Sequence, residues 1–215
     1  LLSLYSYRRL RKFCLSMCYR LEGDRFFSKT LRDILLHYHE VTVGSYSYGP
    51  CLVPGILPRG TIVGSYCSFG GELQVFRRNH PDTTLSQHPF FYNAGLGFVE
   101  NDTIQLDQEN PLVIGSDVWI GSRVTILPGC KNIGDGAMIG AGSIITKDVP
   151  SYALVAGTPA KELKKRYSED IEKLVQQSRW WEMPLPELLQ AGNLLVDEMT
   201  VEGLRGFISK TGRLN

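Results

Sequence analysis

A chain of 215 residues is long enough for one substantial domain with appendages. A hydrophobic content of 43% with 21% charged residues places it among ordinary globular proteins. A net charge of +1 gives no reason to expect nucleic acid as a partner, and no run approaches the ~20 apolar residues of a membrane-crossing helix. The five cysteines, Cys14, Cys18, Cys51, Cys67 and Cys130, are scattered, odd in number and free of C-x-x-C spacing. A reduced, cytoplasmic chain is the expectation.

The N-terminal stretch LLSLYSYRRLRKFCLSMCYR has no uninterrupted apolar region and no small-residue cleavage site, so it does not read as a secretory signal. Residues 3–38 are expected to be helical with a break at Gly23. In SKTLRDILLHYHE, Ser28 and Thr30 are candidate caps, and Leu31, Ile34 and Leu35 form one apolar face. Arg8, Arg9, Arg11, Lys12 and Arg20 alternate with Leu4, Tyr5, Tyr7, Leu10, Phe13 and Leu15. Such a basic amphipathic segment either packs on the protein's own assembly, the reading favoured here, or lies on the inner face of an anionic membrane.

From residue 41 to 166 a different beat takes over. Ile114, Ile120, Ile126, Ile133, Ile139 and Ile145 recur every six positions, with one seven-residue step that places a bulge near Lys131–Asn132. Val43–Gly44 and Val63–Gly64 begin similar units upstream, and Val155–Ala156 begins one downstream. A period of six is neither 3.6 nor 2. It suits a three-sided coil with one hexapeptide per side, in which each aliphatic residue stacks on its counterpart about 18 residues on. The small residue that usually follows (Gly115, Gly121, Gly134, Gly140) is expected at corners, where a side chain would clash and positive φ is needed. The glycines of IGDGAMIGAGSIITKDV are therefore corners and not a dinucleotide loop, since their spacing departs from G-x-G-x-x-G and no helix follows.

Residues 74–112 interrupt the repeat with a long polar segment, and a loop of that length in a compact domain is usually functional. Residues 168–180 and 185–208, within a C-terminal part spanning 167–215, read as helices.

The segment VWIGSRVTILPGCKNIGDGAMIGAGSIITKDVPSYALVAGTPAKELKKRY resembles the coenzyme-binding core of the hexapeptide-repeat acyltransferases. Their fold is a left-handed parallel β-helix, a hand that spacing alone does not give and that opposes the usual crossover rule. NHPDTTLSQHPF, residues 79–90, resembles the N-H-x-x-D-G-x-S-T-F-P-F loop of the xenobiotic acetyltransferases, and SRWWEMPLPELLQ resembles their WWDWP segment. The resemblance covers residues 41–190. It implies an all-β core with terminal α-helices and an inserted loop, acetyl-CoA as co-substrate, no metal, and a homotrimer with its sites between subunits. It makes His80 the catalytic base, with Asp82, Ser86 and His88 as acceptor-side residues; His88 is also a rival base, and Asp82 a candidate to orient His80. Trp119 joins the catalytic set as an indole N–H donor. Ser122, Ala141, Thr146, Lys147, Lys161 and Lys164 fall on coenzyme-contacting positions. For Lys161, Lys164, Lys165 and Arg166 the plain alternative is a solvated helix start.

Asp82 sits one place early, Thr84 replaces a glycine and Gln87–His88 replaces Thr-Phe. These departures bear on the acceptor. The implied acceptor is a sugar hydroxyl in a surface polysaccharide or its precursor; an antibiotic hydroxyl (chloramphenicol or a streptogramin) and a sugar amine are the alternatives. A zinc carbonic anhydrase on the same coil would need three histidines from adjacent coils, and residues 114–160 contain none. A non-catalytic scaffold is the remaining class, separable by whether coenzyme A stabilises the protein.

Overall fold

The computed structural model describes residues 1–80, 82–104, 111–190 and 198–211. Three sheets share the centre of the chain. The first contains β1 (Thr42–Val43), β2 (Ile62–Val63), β5 (Val113–Ile114) and β8 (Asn132–Ile133). The second contains β3 (Ser68–Phe69), β6 (Trp119–Ile120), β9 (Met138–Ile139), β11 (Ala153–Gly157) and β12 (Ala160–Lys165). The third contains β4 (Gln74–Val75), β7 (Thr125–Ile126) and β10 (Ile144–Ile145).

From β2 to β10 the chain visits the first, second and third sheets in turn, and every strand pairing is parallel except the terminal β11–β12 hairpin. Register follows the six-residue beat: Ile114 lies beside Ile133, Ile120 beside Ile139 and Ile126 beside Ile145. Ile120, Ile126, Ile133 and Ile139 are fully buried. A second inward column, two residues earlier on each side, was not legible as a repeat because its residue types vary. It comprises Thr61 and Leu112, then Cys67, Val118 and Ala137, then Leu73, Val124 and Ser143, all buried. Its hydroxyls are satisfied internally, as where Ser143 Oγ donates to the Gly140 carbonyl at 2.6 Å. The coil also extends further back than the spacing suggested. β3 and β4 are full units whose inward residues are Phe69 and Val75, so residues 74–75 belong to the coil and the excursion begins at Phe76.

The corner glycines are small for only one of the two expected reasons. A Cβ on Gly121 would lie 2.5 Å from Ala141 N, and one on Gly134 would lie 2.4 Å from Ser151 N, so successive coils approach too closely for a side chain. Their φ is ordinary. Positive φ falls two residues later, and non-glycines hold it at Tyr66, Asp117 and Arg123, with Gly136 and Gly142 in equivalent places. Gly121→Ala is therefore expected to destabilise by about 1–3 kcal/mol through backbone displacement, read as a lowered thermal midpoint. The seventh residue of the long step sits at the corner after β7, where Asp148 Oδ1 accepts from Lys131 N (2.6 Å) and Asn132 N (2.9 Å).

Helices close both ends. At the N-terminus two short 3-10 turns (Ser3–Ser6, Arg8–Leu10) precede α1 (Arg11–Leu21) and α2 (Lys29–His39). The chain turns at Gly23, which has φ +74°. Ser28 caps α2, its Oγ accepting from Leu31 N at 3.1 Å. Thr30 is not the cap: its hydroxyl and amide both donate to Glu22. Leu31, Ile34 and Leu35 are buried, as their spacing required. His39 pairs with the Tyr5 hydroxyl at 3.0 Å and His37 packs edge-on to Tyr38, so both are structural.

At the other end α3 (Glu169–Ser178), a 3-10 turn (Trp180–Glu182), α4 (Leu185–Gln190) and α5 (Val201–Thr211) follow the coil. Part of the expected 185–208 helix, residues 191–197, lies outside the described residues. The Trp180 ring packs at a tilt against Tyr66 at 5.1 Å, and Tyr66 against Tyr46 at 4.7 Å, so Trp180 docks on the corner between first and second sheets.

Candidate active site

His80 lies five residues beyond β4, in the excursion that replaces the corner between third and first sheets. Arg77 Nη1 anchors the root of that excursion by donating to the Cys130 carbonyl at 2.7 Å. The imidazole is exposed, and its Nδ1 lies 3.0 Å from the Gln87 carbonyl oxygen. A carbonyl oxygen only accepts, so Nδ1 carries the hydrogen and the neutral ring keeps its lone pair on Nε2. Tyr92 stands edge-on to the ring at 5.1 Å and 89°. The backbone of Gln87 therefore orients His80, the task Asp82 was a candidate for; Asp82 is exposed in the bend that follows. The sequence marks Gln87 only as a departure on the acceptor side and not as the group that orients His80, because a backbone acceptor has no residue signature.

The rest of the loop folds on itself. Ser86 Oγ accepts from His88 N at 3.2 Å, and Thr84 Oγ1 donates to the Ser86 carbonyl at 3.0 Å. His88 Nδ1 accepts from Phe90 N at 3.3 Å, capping a 3-10 turn at Pro89–Phe91, and its ring packs against Phe90 at 4.3 Å. That places the neutral ring's hydrogen on Nε2, so His88 presents a donor where His80 presents a base.

Trp119 is outward-facing on β6, 43% exposed, with the buried Ile120 beside it. It occupies a transverse row of the second sheet: Ser68, Trp119, Met138, Leu154 and Lys164 are successive register partners. Strand spacing puts Trp119 and Lys164 roughly 14 Å apart along that row. Lys161 pairs with Ala156 on the same hairpin. These lysines lie on a strand, not at a helix start. Their neighbours are used internally. Lys165 Nζ donates to the Ser151 carbonyl at 2.8 Å. Arg166 Nη1 donates to Asp117 Oδ2 at 3.0 Å and to the Gly136 carbonyl at 2.7 Å. Burial pushes the Asp117 carboxyl up, against the pull of Arg166.

Ser122 and Ala141 share the exposed corner between second and third sheets, joined where Gly142 N donates to the Ser122 carbonyl at 2.9 Å. Gly70, Gly121, Gly140 and Ala156 line the same corner, where a Cβ on each glycine would meet the next coil. The result is a seam with a backbone floor. Thr146 and Lys147 are exposed at the next corner, between third and first sheets, on a cavity of ≈ 180 Å³ that Asp148, Pro150, Ala160 and Glu162 also line. The loop residues thus gather at one edge of the prism, with Thr146 and Lys147 at that edge's far end. Trp119, Ser122, Ala141, Lys161 and Lys164 gather on another side. Among the described residues, no hydrogen bond or ring contact joins His80 to Trp119 within one chain. No group of three or more metal-ligating side chains occurs among the described residues either.

Comparison with known proteins decides the family. Residues 111–147 match the bacterial transferase hexapeptide family (six repeats). A chloramphenicol acetyltransferase of Agrobacterium fabrum is 32% identical over 192 residues, covering 80% of this chain and 91% of that protein. The chain belongs to the hexapeptide-repeat acetyltransferases. A probable macrolide acetyltransferase of Lysinibacillus sphaericus is 34% identical over 157 residues, covering 72% of this chain and 87% of its own. A chloramphenicol acetyltransferase of Morganella morganii is 39% identical over 137 residues, 62% of this chain, and the match spans 65% of that relative's length. For a hexapeptide-repeat acetyltransferase, the corner glycines and buried isoleucines of residues 111–147 are the repeat itself.

Proposed function

We propose that the protein is an acetyl-CoA-dependent O-acetyltransferase that moves an acetyl group directly onto a hydroxyl, with His80 as general base. The observation that carries this reading is the 3.0 Å contact between His80 Nδ1 and the Gln87 carbonyl oxygen, which leaves Nε2 as the nitrogen to accept a proton. Nε2 takes the hydroxyl proton as that oxygen attacks the thioester carbonyl. Collapse of the tetrahedral intermediate expels the coenzyme thiolate, which takes up the proton. Backbone N–H groups of the seam and the Trp119 indole N–H are the donors available to the oxyanion. A covalent acyl-enzyme through cysteine is disfavoured. All five thiols are buried, and burial pushes those of Cys67 and Cys130 up to about 12.

In this reading the coil is left-handed, as family membership implies, and three chains assemble in the cytoplasm. The placement of the site residues supports the trimer: His80 and Trp119 lie on different sides of one prism, and a neighbouring chain brings one loop against another seam. The coenzyme then runs along the seam past Ser122 and Ala141, with Thr146 and Lys147 on the facing coil. Lys161 and Lys164 supply point charges for its phosphates. Removing both lysines (Lys161→Ala with Lys164→Ala) is expected to raise KM for acetyl-CoA about tenfold with little change in kcat.

The acceptor proposed first is a sugar hydroxyl of a surface polysaccharide or its precursor, supported by the polar run Thr84, Ser86, Gln87 and His88 around the base, with Asp82 adjacent. A second reading, acetylation of an antibiotic hydroxyl, is favoured by what the relatives are named. Coenzyme release from acetyl-CoA, measured with a capsular oligosaccharide, an amino sugar and chloramphenicol, separates them. Turnover with the oligosaccharide alone is the expected result; turnover with chloramphenicol alone would replace the first reading with the second.

A further inference from the structure

The charge of this chain is segregated in a way that acetyl transfer does not require. The first 21 residues hold five basic side chains and no acidic one, whereas the remaining 194 hold 18 basic against 22 acidic. The segment closes the start of the coil by burying Tyr5, Cys14 and Cys18 with Leu31, Ile34, Leu35 and Val41. Its other side is bare. Leu4, Tyr7, Leu10 and Phe13 are exposed, Tyr7 by 65% and Phe13 by 55%. On α1, Phe13, Ser16 and Arg20 follow at three- and four-residue intervals with Lys12 beside them, on the face away from Cys14 and Cys18.

The local electrostatics are unfavourable as they stand. α1 begins after Leu10 with no side-chain cap and no acidic residue in its first turn, while Arg8, Arg9, Arg11 and Lys12 crowd its positive pole. Arg11 is engaged, with Nε donating to the Tyr5 carbonyl at 3.2 Å and the guanidinium over the Tyr5 ring. Arg8, Arg9, Lys12 and Arg20 are exposed, and no ion pair holds them among the described residues. Concentrated positive charge interleaved with exposed aromatic and leucine side chains is complementary to one kind of surface: anionic headgroups above an acyl layer. No helix among the described residues is long and apolar enough to cross a membrane.

We propose that residues 3–21 form a peripheral docking face for an anionic lipid bilayer, in which Arg8, Arg9, Lys12 and Arg20 meet the headgroups while Tyr7, Leu10 and Phe13 enter the interface. This stands independently of the acetyl-transfer reading, because its readout needs no acceptor. The test is cosedimentation of the full chain with vesicles of phosphatidylcholine mixed with phosphatidylglycerol, against vesicles of phosphatidylcholine alone.

The expected result is binding to the anionic vesicles that weakens as salt rises. It should fall at least about tenfold in an Arg8→Glu, Arg9→Glu, Lys12→Glu variant. A Tyr7→Ser, Phe13→Ser variant, which keeps every charge, should also bind more weakly. All five positions are exposed, so an unchanged circular dichroism spectrum and melting curve show that the fold survives. Equal binding to both vesicle types, no binding to either, or wild-type binding by either variant overturns the proposal. A change in the oligomeric state of the charge-reversed variant without vesicles also overturns it and assigns the face to a second copy of the chain.

Discussion

His80→Ala is expected to lower kcat by about 10²–10⁴-fold while KM for acetyl-CoA stays within about twofold. The size follows from the role: a positioned base contributes in the transition state and not to coenzyme binding. The side chain also does little for the fold. It is exposed, and its recorded partners are the Gln87 carbonyl and the edge of Tyr92. His88→Ala is the control that gives the number meaning, since both histidines are exposed loop residues eight positions apart. The hydrogen-bond pattern assigns them opposite neutral tautomers, so only one has a lone pair facing outward on Nε2. Loss of His88 should alter KM for the acceptor and leave kcat within about tenfold. If the large loss of kcat appeared in His88→Ala, with His80→Ala near wild type, the assignment of the base would be reversed.

The six-residue register of the three sheets was legible because its inward column is chemically uniform. Six isoleucines at a fixed beat announce one repeated environment, and the small residue after most of them announces a close approach. Legibility failed where the same geometry is met by different chemistry. Phe69 and Val75 occupy inward positions, yet neither reads as an isoleucine-glycine unit, so two coil sides were missed. The left-handed corner residues fall two positions after the glycines, because these glycines mark close approach and not positive φ. Here Tyr66, Asp117 and Arg123 adopt it, held by the ladders on either side.

Of the candidate site, the shared corner of Ser122 and Ala141 was readable from spacing, and the position of His80 in the inserted loop from its motif. The Gln87 carbonyl was not, because any residue supplies one. The structural use of Arg166 was not readable either, since in KELKKR a sequence shows four similar cations. Only folding separates the one that reaches Asp117 and the Gly136 carbonyl from Lys161 and Lys164, which stay in solvent.

Ile133→Ala is expected to destabilise the protein by about 2–5 kcal/mol, lowering the melting temperature by roughly 5–20 °C. Ile133 is fully buried on β8, in register with Ile114 on one side and bridged to Val149 on the other. Truncation removes three carbons from the middle of a stack whose neighbours are held by coil-to-coil hydrogen bonds, such as Gly115 N to the Ile133 carbonyl at 2.8 Å. Those ladders hold the coils at fixed spacing, so the cavity cannot close by local collapse. The neighbouring Asn132 is exposed on the same two-residue strand, so Asn132→Ala should shift stability by no more than about 0.5 kcal/mol. Position 133 follows the single seven-residue step, so the pair of variants also tests the bulge. Were the extra residue absorbed one place later, the two side chains would exchange sides and the large loss would fall on position 132.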